Sequence, residues 1–325
     1  MTSYRKELNN LIREQAIRAE KMAQAIQLAN ISPRPKAWLA FIDSLLLWVS
    51  CIALGLSCIF FIAHNWSGLS KFAKFGLVEL SLISSVITYL NLKANTIASK
   101  AVLLVSTLLL GALLALFGQT YQTGADPWQL FFNWALLITP WVIIAQFAPL
   151  LVIWLALINL AFMLYLEVNP APISLMLSHD ANALCLLFLF NSVSFIGWQW
   201  LSKSRIWMQQ RWVTCLLALA SGSAVTALAL SAIFDQVILQ SLAIPMWTVF
   251  LGAMYWHYRR VTIDLFMLSL VCLSAMIVGT SWCASYISGL GDEGLFLILA
   301  IIVISLGVAC AMWLKNIQKE LTAHA

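Results

Sequence analysis

Long apolar stretches recur from about residue 39 to residue 314, separated by short breaks that carry charges or turn-forming residues. A helix needs roughly 20 apolar residues to cross about 30 Å of hydrocarbon, and most of these stretches suffice. The breaks predict ten helices, at about 39–63, 72–92, 98–117, 131–146, 149–167, 181–201, 212–232, 237–256, 262–285 and 294–314. Pro127 to Leu166 contains no charged residue and is too long for one crossing. Thr139-Pro140 and Gln146-Phe147-Ala148-Pro149 offer break points, so a tight hairpin is predicted there.

Residues 3–30 follow a different pattern. Leu8, Leu11, Ile12, Ala16, Ala19, Met22, Ala23 and Ile26 keep the helical period, with most charges set off that stripe. This predicts an amphipathic helix, stopped at Ser32-Pro33-Arg34-Pro35. Its thin, Ala-rich stripe would bind a bilayer surface poorly. Packing on a partner protein, or on the protein's own cytoplasmic face, is the expectation.

The fold class is therefore all-α: a polytopic transmembrane helical bundle of about ten spans, with a short N-terminal amphipathic helix. The organisation expected is 1–37 as that helix with its Pro-containing linker, 38–168 as the first five spans and 169–325 as the second five. Five plus five raises the idea of an inverted repeat, although the halves show no residue-level similarity.

Composition agrees: a chain 62% hydrophobic and 10% charged is not a soluble globular protein. The first 37 residues hold no apolar signal-peptide core, so the first span is expected to act as its own insertion signal. With a cytoplasmic start, every Lys and Arg except Lys71 and Lys74 falls on the cytoplasmic side. The outer loops carry Asp126, Asp180, Asp235, Asp292 and Glu293 instead. Both termini are expected in the cytoplasm, and the net charge of +5 reflects topology rather than a nucleic acid or acidic partner.

Catalytic signals are missing. There is no G-x-x-x-x-G-K-[ST], H-E-x-x-H or G-x-S-x-G, so neither an enzyme nor a cofactor is expected. The seven cysteines lie within predicted helices without a C-x-x-C and read as inert thiols. Many of the 15 tryptophans fall near helix ends, as an aromatic belt requires. His64 and His179, with nearby acids, could in principle bind a divalent cation. Single histidines at helix ends more simply serve as interfacial or capping groups, and no metal is expected. Asp43 and Asp264 read as dipole-complementing residues in first helical turns.

Two features carry candidate chemistry. Phe117 to Trp128 is the densest polar and turn-forming stretch outside the N-terminus. Either Gln119, Tyr121 and Asp126 form a ligand-binding cluster at the outer surface, or Asp126 caps the next helix with Pro127 in its first turn. Glu79 is the only acid deep within a predicted crossing, where a carboxylate must be protonated, paired or facing water. It shares a helical face with Phe72, Phe75, Gly76, Ile83 and Val86, opposite Ser81, Ser84, Ser85 and Thr88. A partner for it must come from another helix.

The order of an amphipathic N-terminal helix, Asn65-Trp66, Lys71 and Lys74, Gly118-Gln119-x-Tyr121, Asp126-Pro127 and Trp134 resembles the bacterial predicted membrane proteins called domain of unknown function 2157. The resemblance covers roughly residues 5–170. Where the family has small residues before Asn-Trp, this chain has Ala63-His64, which leaves the role of His64 open. The resemblance implies a bacterial inner-membrane protein and no particular activity. It adds Asn65, Trp66 and Trp134 to Gln119, Tyr121 and Asp126 as family-type positions, with Glu79 and His64 completing the candidate set. The function expected is a non-enzymatic membrane component acting with a partner in the lipid bilayer. The alternative is a small-solute or cation permease with its site near the outer surface.

Overall fold

Caps and prolines set the helix boundaries. The computed structural model describes residues 21, 35–64, 68–122, 124–169, 179–234, 242–287 and 292–323; the expected 3–30 helix, Asn65 and Trp66 lie outside these. Ten long helices follow in order: α1 (Pro35–His64), α2 (Lys71–Asn91), α3 (Ile97–Tyr121), α4 (Pro127–Ala145), α5 (Ala148–Val168), α6 (His179–Ser202), α7 (Arg211–Phe234), α8 (Ala243–Trp256), α9 (Leu265–Ile287) and α10 (Asp292–Ala323). No strand occurs among the described residues.

Ser70 caps α2 by accepting from Ala73 N at 3.2 Å, and Thr96 caps α3 by accepting from Ser99 N at 3.2 Å. Asp264 Oδ1 caps α9, accepting from Phe266 N at 2.9 Å and pairing with Arg211 at 2.9 Å. Asp43, by contrast, sits two turns inside α1, because that helix begins at Pro35. Asp126 holds the N-cap position of α4, with Pro127 at its start.

The hairpin within the uncharged segment turns at Gln146 and Phe147. Gln146 adopts φ 46° and ψ 47°, which ends α4, and α5 begins two residues later with Pro149 in its first turn. Of the two break points in the sequence, only the second interrupts the chain. Pro140 stays inside α4, as membrane helices tolerate when neighbours re-satisfy the freed carbonyl.

α2 to α7, α9 and α10 are each long and apolar enough to cross a membrane. α1 runs for 30 residues. α8 runs for 14 residues, a rise of about 21 Å, and continues as a π-helical turn, His257–Val261.

The chain divides into two compact units, Met1–Gln122 and Thr123–Ala325. In the first, α3 packs on both α1 and α2 and buries Ala101, Leu103, Leu109 and Leu116. In the second, α7 is central, packed by α6, α8 and α9, with α4 on α5, α5 on α6 and α10 on α9. The main core of this unit gathers Phe195, Trp198, Leu217, Met254, Leu268 and Ile317.

Buried polar side chains tie neighbouring helices together. Trp154 Nε1 on α5 donates to Thr139 Oγ1 on α4 at 2.9 Å. Asn191 Nδ2 on α6 donates to Asn159 Oδ1 on α5 at 2.7 Å. Ser274 Oγ on α9 accepts from Trp247 Nε1 on α8 at 2.9 Å and bonds Thr226 Oγ1 on α7 at 2.6 Å. In hydrocarbon, where burial of apolar surface gives helices no preference for one another over lipid, such bonds specify neighbours.

Candidate functional site

α2 presents two chemically different faces. Its serine face meets α3 through half-buried Ser85, which accepts from Ser106 Oγ at 2.8 Å, while Ser84 and Thr88 stay exposed. Ser81, Ser84, Ser85 and Thr88, with Cys51 and Gly55 of α1, line a cleft of about 340 Å³ within the first unit. These hydroxyls are largely satisfied locally. Ser81 donates to Leu77 O at 2.8 Å, Ser85 to Leu82 O at 2.7 Å and Thr88 to Ser84 O at 2.7 Å.

Glu79 lies on the other side. Its side chain is exposed among exposed Phe72, Leu80, Ile83 and Ile87, about 12 Å along α2 from Lys71. It makes no hydrogen bond or ion pair among the described residues. Lys74, one turn earlier, is buried at 7% exposure. Glu79 stands outside the serine cleft.

The stretch from Phe117 to Trp128 divides between the two units after Gln122. Tyr121 packs its ring against Phe117 and Phe75, with centroids 5.0 and 5.8 Å apart, and Gln119 is exposed on α3. Gln122 closes α3 at φ 43°. In the second unit, Asp126 makes no side-chain cap bond. Its Oδ2 instead accepts from Trp128 Nε1 at 3.4 Å, and Trp128 meets Tyr165 edge-on at 5.0 Å. Trp134 is half-buried on α4, and His64 is exposed at the end of α1. Among the described residues no hydrogen bond joins Gln119 to Tyr121 or His64 within the first unit. Among the described residues no three His, Cys, Asp or Glu side chains are placed to hold a metal ion.

One feature escaped the sequence reading. α6 and α8 enclose a groove of about 470 Å³ lined by Phe188, Val193, Ile196, Val249 and Phe250, with Gln199, His257 and Tyr258 at one end. Gln199 Nε2 donates to Tyr258 Oη across that end. Burial pushes the Tyr258 phenol, on the turn beyond α8, up to about 12, with the Gln199 bond acting in the opposite sense. The phenol is thus neutral at physiological pH. Ser192 Oγ, also lining the groove, is buried without a hydrogen-bond partner among the described residues. The signal was present in Gln199 and Tyr258, polar groups at the ends of apolar runs, but their pairing across 59 positions is not a sequence pattern.

The family described as predicted membrane protein (DUF2157) matches residues 9–151. Comparison with curated proteins and with solved structures returns no match. The matched region contains Glu79 and the other sequence candidates; the α6–α8 groove lies beyond it. The family match and the apolar helices together make this a multi-pass membrane protein.

Proposed function

We propose that this protein is a non-enzymatic component of a bacterial inner membrane, with both termini in the cytoplasm, that works by holding a partner protein against α2. The partner presents a transmembrane helix carrying a cation or hydrogen-bond donor at the level of Glu79. The observation that carries this reading is the exposed Glu79 carboxyl in the middle of an apolar helix face. A carboxylate facing lipid is costly, and a neighbouring helix that pairs with it removes that cost. In this reading the residue 3–30 helix supplies a second contact from the cytoplasmic side.

A photo-crosslinker placed at Leu80 or Ile83 in native membranes tests the contact. One discrete partner should be captured from these positions, released by Glu79→Leu and retained by Glu79→Gln, which keeps the hydrogen bond. Crosslinks to lipid alone, or to a second copy of this chain, would overturn the reading.

A small-solute permease is the second reading, favoured by the serine-lined cleft between α1, α2 and α3. Its site would then be the cleft hydroxyls rather than Glu79. Solute flux into proteoliposomes that is lost in Ser84→Val and kept in Glu79→Gln would support it over the first.

A further inference from the structure

We infer that the groove between α6 and α8 binds one acyl chain of an anionic phospholipid, whose headgroup is held by Lys203 and Arg260. The groove volume of about 470 Å³ lies in the range of small-ligand cavities. Val193, Ile196 and Val249 on its walls are exposed, so it is open to the surrounding medium along its length. α6 is one of the membrane-crossing helices, and that medium is hydrocarbon. An apolar groove open to hydrocarbon takes an acyl chain without desolvating any polar group.

The lipid class follows from what lies past the polar end of the groove. On α6 the lining residues end at Gln199, and Lys203 follows four residues later, in the turn that leaves the helix after Ser202. From α8 the lining continues into the π-helical turn at His257 and Tyr258, and Arg260 lies two residues beyond Tyr258 in that turn. Both cations are exposed, and neither makes an ion pair among the described residues. Arg211 and Arg259, by contrast, are committed: Arg211 pairs with Asp264 at 2.9 Å and Arg259 with Glu320 at 2.7 Å. Gln199, His257 and Tyr258 form the polar step between hydrocarbon wall and cationic mouth, where a glycerol backbone sits relative to its phosphate. Long basic side chains at helix ends extend toward the headgroup layer. Each adds about fivefold to the preference for an anionic over a zwitterionic lipid.

The full-length protein purified in mild detergent should be tested with phosphatidylglycerol and phosphatidylcholine of identical acyl chains, read by native mass spectrometry. One phosphatidylglycerol should be retained, preferred at least tenfold over phosphatidylcholine. Arg260→Gln should lower that preference about fivefold, and Val249→Trp, which fills the groove, should abolish retention of that lipid. Ile143→Trp, an equally exposed position on α4, should leave it intact. Equal retention of the two lipids would overturn the inference, as would a groove-filling variant that retains phosphatidylglycerol. Should Val249→Trp fail to fold, phosphatidylglycerol carrying a diazirine in its acyl chain decides the matter on the wild type. Crosslinks concentrated on Val193, Ile196 and Val249 support the inference, and crosslinks spread evenly over all lipid-facing helices overturn it.

Discussion

Ser106 on α3 donates to Ser85 on α2 at 2.8 Å, and this bond commits the serine face of α2 to its neighbour. Ser85 and Glu79 are six residues apart, about 120° around the helix. With Ser85 packed on α3, the carboxyl is left on the uncovered surface. Two polar features that a membrane chain could have merged into one site are thereby separated.

That bond should contribute little to stability. Ser106 Oγ also lies 3.0 Å from Val102 O, so Ser85→Ala leaves its hydroxyl with an acceptor. The expected cost is about 0.6 kcal/mol, the average for polar contacts between membrane helices. Thermal unfolding in detergent should show a Tm lower by about 1–2 °C.

Glu79→Leu should behave in the opposite way from an ordinary core substitution. The side chain has no described partner to lose, so the purified protein should unfold within about 0.5 kcal/mol of wild type. Crosslinking from Leu80 should nevertheless fall to background.

Asn159 and Asn191 should be energetically coupled. Asn191 is buried and donates both to Asn159 Oδ1 at 2.7 Å and to Leu187 O at 2.9 Å. Either single leucine substitution strands part of the amide pair, at about 1–2 kcal/mol. The Asn159→Leu, Asn191→Leu double variant should cost less than the two singles added. A double-mutant cycle on unfolding free energy measures the difference, and strict additivity would mean the amides act independently.

Orientation can be read with reporters fused to successive C-terminal truncations. A fusion after Phe147 should report from the same side as fusions after Lys93 and Lys203, the cytoplasmic side. One after Gly124 should report from the other. Opposite sides for the Lys93 and Phe147 fusions would mean that α3 and α4 do not both cross.

Much of this architecture was legible beforehand. Ten helices stand close to where the apolar runs and their breaks placed them, and the turn at Gln146 fell on one of two marked dipeptide sites. Asp126 followed by Pro127 opens α4 as an N-cap pair should. Other details were not readable. Nothing in the local pattern says that Pro140 stays helical, or that the Asp126 carboxylate turns to Trp128 rather than to the helix amides. The groove needed Gln199 and Tyr258 to be neighbours, and their separation in sequence hides that.

The amino-acid sequence alone determined how many long apolar helices the described residues form, about where each begins and ends, and which end of each carries cations. The reason is solvation: in hydrocarbon every backbone group must be bonded within its own helix, so an apolar run becomes one continuous helical segment. Only the tertiary structure decided which faces meet. Lipid-facing and protein-facing surfaces are equally apolar, so periodicity cannot separate them, and the choice falls to close packing and a few polar bonds such as Ser85–Ser106 and Gln199–Tyr258. Those contacts set Glu79 outside and the groove between α6 and α8.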